Sequence, residues 1–427
     1  MTRTTRPTGL AAVLVAAVAA VAGCGGGSST SVPGVTKTSV TIGSHQPLTG
    51  PAAPGYSEVA PAATAFFTYL NSQGGVNGRK INYVYKDDGY NPTNTVNVVR
   101  QLVLQNKVFA IFNGLGTPTH TKVVPFLTAK KVPDLFVASG CPCWDDGAKQ
   151  AETFGWQPSY QIEGKILGAY LKSQFAGKKI GVFYQDDDFG QGGLAGLKEE
   201  IPDQIVSAQP YQPGGTNVAP QITAIQKAGA QVLVDFTIPA YTALGQLTSF
   251  KLGYKPQLVV ANVGIDPTTV GGLLKEFSKG KAGTALIEGA ITDTFLPPTT
   301  DTSNPWIALF KKIHDQYDAK APFDGNVEYG MAAAYTFAQA LKAAGKNPTR
   351  QSLVSAVEKG GFSGPGLVPF RYSGSQHGGF GGVRMAKLQN AAIVPFGSPQ
   401  VTDPGPGPIH PYTAKPTTPA DGGIVTG

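Results

Sequence analysis

The sequence predicts an α/β protein with two lobes, each a mainly parallel β-sheet flanked by helices. Short β-branched segments alternate with amphipathic helical segments, a pattern typical of parallel sheets covered by helices on both faces. The alternation runs twice along the chain before a third stretch that is poor in strands. The 427 residues are also too many for one hydrophobic core, which favours two domains.

The first run extends from residue 40 to residue 138. Strands are predicted at 40–43, 80–86, 108–112 and 134–138, and helices at 60–71, 91–105 and 122–130. The helix at 91–105 has the plainest signals, because Pro92 lies near its start and its valines and leucines recur on one face. These segments predict one parallel sheet.

The second run and the third stretch follow the same logic. In the second run, helices are predicted at 161–174, 191–200, 220–228 and 241–252, and strands at 179–184, 204–209, 231–236 and 257–261. The third stretch begins at 285–292, continues with helices at 305–317, 327–344 and 350–358, and ends with strands at 367–371 and 383–389. Because it has too few strands for its own sheet, it is expected to complete the first two. The chain then crosses between lobes more than once, at a hinge beside a cleft.

The N-terminus has the features of an export signal. Arg3 and Arg6 precede an apolar segment at 10–22, which is shorter than the roughly 20 residues of a transmembrane helix. The sequence V-A-G-C at 21–24 resembles a bacterial lipobox, which implies removal of residues 1–23 and lipid on Cys24. The glycines and serines that follow predict a flexible tether over 24–37. The alternative is a plain secretory signal that contains a cysteine.

Composition excludes several classes of function. Charged residues make up 14% of the chain, and no basic cluster is longer than two residues, so no nucleic-acid partner is expected. No nucleophile, zinc or phosphate-loop motif occurs, and the five histidines lack ligand spacing. We therefore expect no catalytic residue, metal or cofactor. His45 and His120 fall on loops facing the predicted cleft, where a surface or supporting role competes with ligand contact.

The two cysteines after Cys24 form the motif C-P-C. Outside the cytoplasm, thiols that are close together usually oxidise, so a Cys141–Cys143 disulfide is predicted at the edge of the cleft. Free thiols are the main alternative. A metal site is weaker, since two cysteines without a nearby histidine do not complete a tetrahedral set.

An ordered set of segments then resembles a known family. They are V-T-I-G-S-H-Q-P-L-T-G-P, L-N-S-Q-G-G-V-N-G-R-K-I, Y-K-D-D-G-Y-N-P, I-F-N-G-L-G-T, V-F-Y-Q-D-D-D-F-G-Q-G-G-L and V-E-Y-G-M-A-A-A-Y-T-F-A-Q-A-L-K. Together they resemble the leucine/isoleucine/valine-binding type of periplasmic solute-binding protein. The resemblance runs in order from about residue 40 to residue 401.

The resemblance implies a type I two-lobed binding protein with three hinge crossings that delivers a small solute to an ABC permease. Lobe 1 is then expected at 38–160 and 290–370, lobe 2 at 161–289 and 371–400, and a disordered tail at 401–427. A monomer is expected, exported and held on the outer face of the membrane by lipid on Cys24. A ligand sensor that signals to a membrane partner and, less favoured, a hydrolase remain alternatives.

The resemblance also suggests which residues bind ligand. Gly116 and Thr117 follow one strand, and Ser139 and Gly140 follow the next, where a loop of the family grips an acceptor group. Phe189 and Tyr241 match aromatic positions, and Trp144 stands beside the cysteine pair. For each of these, turn formation or core packing is the alternative.

One position departs from the family. Where relatives carry a glutamate for the ligand ammonium, this chain has Asn262, followed by Val263 and Gly264. Because a buried ammonium without a carboxylate would lie unpaired, an ordinary branched-chain amino acid is in doubt unless another acid substitutes. A neutral amide, a carboxylate or an aromatic acid is equally compatible with the sequence.

Overall fold

The computed structural model describes residues 31–423. The predicted signal peptide at 1–23, Cys24 and the first part of the predicted tether lie outside the described residues. The last part of that tether is not extended: the backbone of Val35 forms an antiparallel bridge with Val40, so it folds back on the first strand.

The first sheet and its helices fill the N-terminal part of the described chain. Its strands are β1 (Ser39–Gln46), β2 (Lys80–Asp87), β3 (Ile111–Phe112), β4 (Asp134–Val137) and β5 (Thr153–Gly155). They lie in the order β2-β1-β3-β4-β5, and every pairing is parallel. The helices between them are α1 (Ala53–Tyr56), α2 (Val59–Ser72), α3 (Pro92–Leu104), α4 (Thr117–His120) and α5 (Val124–Ala129).

The second sheet begins after the chain leaves β5. Its helices are α6 (Tyr160–Gln174), α7 (Asp188–Glu200), α8 (Ala219–Lys227), α9 (Pro239–Lys251) and α10 (Pro267–Phe277). Its first strands are β6 (Ile180–Gln185), β7 (Ile205–Tyr211), β8 (Val232–Phe236), β9 (Gln257–Val260) and β10 (Ile291–Thr294). The pairings among these five strands are all parallel.

The chain then returns to the first lobe and leaves it again. Helices α11 (Pro305–Tyr317), α12 (Gly325–Ala343) and α13 (Arg350–Lys359) belong to the first lobe, where the α2 ring of Phe66 packs edge-on against Phe310 of α11 and Tyr335 of α12. Strands β11 (Gly382–Gln389), β12 (Ala392–Pro395), β13 (Gln400–Val401) and β14 (His410–Pro411) extend the second sheet, with β11 antiparallel to β10. The described chain thus crosses between lobes three times, which confirms the predicted fold.

The predicted organisation differs from the structure in three places. Residues 291–294 were expected in lobe 1, but β10 pairs with β9 and β11 in the second sheet, because the chain completes this sheet before it crosses back. The strand predicted at 367–371 is absent from the described chain, where Phe370 makes an isolated bridge with Phe380. Helix α10, which the sequence did not predict, packs beside α9.

The C-terminal segment also departs from the expected disordered tail. Although residues 402–423 have almost no regular structure, side chains of the body hold their backbone carbonyls. The Trp306 indole N–H donates to the Thr417 carbonyl at 2.8 Å, Tyr69 donates to Gly422, and Lys165 donates to Gly405 and Gly407. Such contacts have no sequence period, so a pattern search does not find them. Among residues 31–423, no helix has both the length and the apolar character to cross a bilayer.

Candidate functional site

A cavity of about 300 Å³ lies between the two lobes. Several hydrogen bonds join the lobes around it. The Tyr56 hydroxyl donates to the Val263 carbonyl at 2.6 Å, the Gln185 amide to the Tyr90 hydroxyl at 3.2 Å, and Asn326 to Thr269 at 3.3 Å. The structure is therefore the closed form, in which a small ligand would be enclosed on both sides.

The first lobe supplies a hydroxyl at the carboxyl ends of its strands. Gly116 and Thr117 line the cavity, and the Thr117 hydroxyl is 2.6 Å from the Ser139 hydroxyl. Gly116 has a φ of 109°, and a Cβ there would lie 2.6 Å from the Tyr90 ring, so this position requires glycine. Ser139 and Gly140 lie behind the lining, where Ser139 orients Thr117.

The cysteine pair supports this hydroxyl from behind. Cys141 and Cys143 form a disulfide with a Cα–Cα distance of 5.1 Å, as predicted. The backbone N–H of Cys141 donates to the Ser139 hydroxyl at 3.2 Å, and the Trp144 indole donates to the Ser139 carbonyl at 3.1 Å. Trp144 is buried and does not line the cavity, so it supports Ser139 and does not contact the ligand site.

Two aromatic positions suggested by the resemblance have different surroundings. Phe189 lines the cavity and packs on the Tyr160 ring, with 4.4 Å between centroids. Tyr241 lies outside the lining, stacks on Tyr211 at 3.9 Å and donates to the Gly215 carbonyl at 2.7 Å. Sequence reasoning missed the tyrosines that do line the cavity: Tyr56, Tyr90, Tyr160 and Tyr329.

Two carboxyl groups surround Asn262, which lines the cavity. The Asn262 backbone N–H and side-chain amide donate to one Glu163 oxygen at 2.8 and 2.9 Å, and the amide also donates to Asp293 at 3.1 Å. Burial raises the pKa of Asp293 to about 6, and burial with Asp293 nearby raises the pKa of Glu163 well above its usual range. Asp293 itself lines the cavity. A carboxyl group therefore lies beside Asn262, the position at which relatives carry a glutamate.

The ionisable residues of the cavity lining, apart from its tyrosines, are all acidic. Four carboxyl groups contribute to it, those of Asp266, Asp293, Asp324 and Glu328. Within residues 31–423, no lysine, arginine or histidine belongs to the lining. The cavity can therefore offer counter-charge to a cation and hydroxyl groups to an acceptor.

His45 and His120 form a buried row of hydrogen bonds beneath the first-lobe loop that carries Gly114 and Gly116. His45 Nδ1 is 2.8 Å from Asp88, His45 Nε2 is 2.8 Å from His120 Nδ1, and His120 Nε2 is 2.7 Å from Asp134. A Cβ at Gly114 would lie 2.6 Å from both imidazoles, so the pair sits directly under the loop. Burial lowers the pKa of His45. Both rings are outside the cavity lining and support the loop from below.

Three residues of the described chain are of types that bind metal ions, but their chemical state does not suit a metal site. Ligand atoms of Cys141, Cys143 and Asp188 lie within 4.8 Å of one another. Because the two sulfurs are joined in the disulfide, they are not thiolate ligands. The neighbouring Asp187 caps α7 by accepting from the Phe189 N–H at 2.9 Å.

The fold and the enclosed cleft define a two-lobed, type I binding protein. Residues 39–392 match the periplasmic binding protein family, and the chain belongs to that family. The Leu/Ile/Val-binding protein homolog 1 of Brucella suis biovar 1 (strain 1330) is 26% identical over 331 residues, which cover 76% of this chain and 83% of that protein. The family is one of exported solute-binding proteins rather than enzymes.

Solved structures extend the similarity of fold. A branched chain amino acid ABC transporter protein from Thermus thermophilus with bound valine has a TM-score of 0.75 at 20% identity, over 87% of this chain and 98% of the other. A fatty acid ABC transporter substrate-binding protein from Thermomonospora curvata has a TM-score of 0.75 at 22% identity, over 87% and 95%. Because these two proteins are described with unlike ligands, valine and a fatty acid, the ligand must be argued from the cavity.

Proposed function

We propose that the chain is a lipid-anchored extracellular receptor that encloses an amino acid between its lobes and delivers it to an ABC permease. One observation carries the proposal: the closed cavity has a hydroxyl on one lobe, at Thr117, and a carboxyl on the other, at Asp293. An α-amino acid carries an acceptor and an ammonium close together, which suits this arrangement. The named relatives from Brucella suis and Thermus thermophilus support the same class of ligand.

Asp293 answers the doubt raised by Asn262. A buried ammonium needs a carboxylate partner, and the loss of the family glutamate at Asn262 would leave it unpaired. Asp293 accepts a hydrogen bond from that amide and lines the cavity, so it is the carboxyl group that would supply the missing charge. Contacts to both lobes then favour the closed form, which is the form that a permease recognises.

A thermal-shift screen of the purified protein tests the proposal. Amino acids, amides, polyamines and aromatic acids are compared, and a true ligand raises the melting temperature with its concentration. For the best amino acid, Asp293→Asn should weaken binding by roughly tenfold to a hundredfold, since a charged hydrogen bond is lost. Asp145→Asn is the matched control, because Asp145 is also buried, has a pKa raised to about 6 by burial, and lies outside the cavity.

Two results would contradict the proposal. One is the absence of any stabilising compound in the whole screen. The other is an amino acid that binds equally well to the protein and to Asp293→Asn.

The membrane anchor needs its own experiment. Lipid on Cys24 would keep the two lobes near the permease, at high effective concentration. Cys24→Ala should release the protein from the cell surface and leave ligand affinity unchanged, measured by fractionation and calorimetry. If this variant stays at the surface, Cys24 is not the anchor.

A further inference from the structure

We propose that the ligand is an amino acid whose side chain ends in a cation, with Glu328 as the counter-charge for that second positive group. This inference rests on the proposed function, because it assumes that an amino acid occupies the cavity. It goes further by naming the class of side chain. Asp293 lies on the second lobe and Glu328 on the first, so the two acids would hold two different groups of one ligand.

Glu328 is a buried acid in the cavity wall without a partner. Its residue is 2% exposed, and its Oε1 has no hydrogen-bond donor among residues 31–423. Burial alone raises its pKa well above the usual range. An unpaired carboxylate buried in this way costs several kcal/mol, and a cation from the ligand beside it would remove that cost.

The free N–H groups at the start of α12 do not explain why Glu328 is buried in the cavity wall. The residue lies in the first turn of α12, where acids often interact with free N–H groups. Asp324 already serves those groups, since its Oδ1 accepts from Asn326 at 3.0 Å and from Val327 at 3.1 Å. The unpartnered oxygen of Glu328 is therefore not needed as an acceptor for the N–H groups at the start of the helix.

Other acids strengthen the negative charge of the same wall. Asp324 lines the cavity one turn before Glu328, and Asp266 reaches across from the second lobe to accept from the Gly325 N–H at 3.3 Å. Burial and the charge of Asp266 raise the pKa of Asp324 to about 6. A cationic group among these carboxyls lowers their mutual repulsion, whereas a neutral side chain leaves it in place.

Pairs of matched ligands separate the effect of side-chain charge on affinity from the effect of side-chain shape. Lysine is compared with norleucine, and arginine with citrulline, since each pair has a similar length but only one member carries the extra positive charge. Calorimetry of the purified full chain should give at least about tenfold tighter binding of lysine or arginine than of its neutral counterpart. Leucine is titrated alongside as a ligand of the neutral class.

A substitution at Glu328 tests whether this residue causes the preference for a cationic side chain. Glu328→Gln keeps the size of the side chain, removes the charge, and should erase the preference. Glu152→Gln makes the same chemical change at a partly buried glutamate outside the cavity, whose pKa burial also raises, and should leave the preference intact. Melting temperatures check that both variants fold, and if Glu328→Gln does not, the ligand pairs in the unaltered protein decide alone.

The outcomes separate this inference from the proposed function. Norleucine or leucine binding as tightly as lysine, or a preference that survives in Glu328→Gln, overturns the inference and leaves the amino-acid receptor standing. Failure of every amino acid to bind overturns both.

Discussion

Asn262 joins two carboxyl groups that lie far apart in the chain. Glu163 is 99 residues before it and Asp293 is 31 residues after it, so no local motif connects the three. The sequence located Asn262 correctly at a strand end, but it gave 285–292 only as the start of the third stretch, one residue short of Asp293. In the structure Asp293 lies on β10, beside the strand β9 that leads to Asn262. Glu163, near the start of the helix predicted at 161–174, gave no such signal.

At the same scale, Glu58 should make stability depend on pH. Burial, with Asp324 beside it, raises the pKa of Glu58 from 4.5 to about 8. The folded protein then holds a proton that the unfolded chain releases within this range, so Glu58 lowers the free energy of unfolding as pH rises. In Glu58→Gln this loss of stability between about pH 5 and about pH 8 should be smaller, as measured by urea unfolding.

A surface glutamate provides the comparison for that experiment. Glu276 is exposed on α10, and Glu276→Gln should keep the pH slope of the unaltered protein. Equal slopes for the protein and Glu58→Gln would show that Glu58 does not titrate in this window.

Among the elements, the sequence predicts those helices whose start signals and apolar period agree. Helix α11 has both, since Asn304 caps it, Pro305 begins it, and its apolar residues recur on one face, and its predicted bounds match the structure. Helix α10 has a similar start, at Asp266 and Pro267, but its threonines and paired glycines weaken the helical pattern. Its apolar face against α9 holds it in place, which a local pattern does not include.

The close packing of α6 against α7 depends on glycine. A Cβ at Gly164 would lie 2.3 Å from the Gly193 carbonyl oxygen, so the helices would have to separate. Gly164→Ala should therefore lower the free energy of unfolding by about 1–3 kcal/mol, the usual effect of overpacking. Gly272→Ala in α10, where a Cβ meets nothing within 4 Å, should be neutral or stabilising by up to about 1 kcal/mol. Denaturant unfolding of both variants measures the difference, and equal stabilities would contradict the packing account.

For the whole molecule, the order of elements was sufficient to predict two sheets and a hinge. The closed contact between the lobes and the held C-terminal segment were not predictable, because both depend on single side chains that meet across long distances in the chain. Tyr56 with Val263 and Trp306 with Thr417 are examples, separated by 207 and 111 residues.

Closure itself should be sensitive to Gly55. A Cβ at Gly55 would lie 2.7 Å from the Thr269 hydroxyl of the other lobe, and its φ of 79° disfavours other residues. Gly55→Ala should therefore weaken ligand binding by opposing closure, which calorimetry measures. Gly74→Ala is the control, because Gly74 also has a positive φ, of 102°, but nothing lies within 4 Å of its Cβ position. Unchanged affinity in Gly55→Ala would mean that the lobes do not meet there in the bound form.

The central claim is that both lobes hold one amino acid at Thr117 and Asp293. A crystal structure of the protein with the tightest binder of the ligand screen tests it directly. The account predicts the ligand ammonium in hydrogen-bond contact with Asp293 and the ligand acceptor against the Thr117 hydroxyl, inside the closed cleft. A ligand outside the cleft, or one that places an anionic group against Asp293, would contradict it.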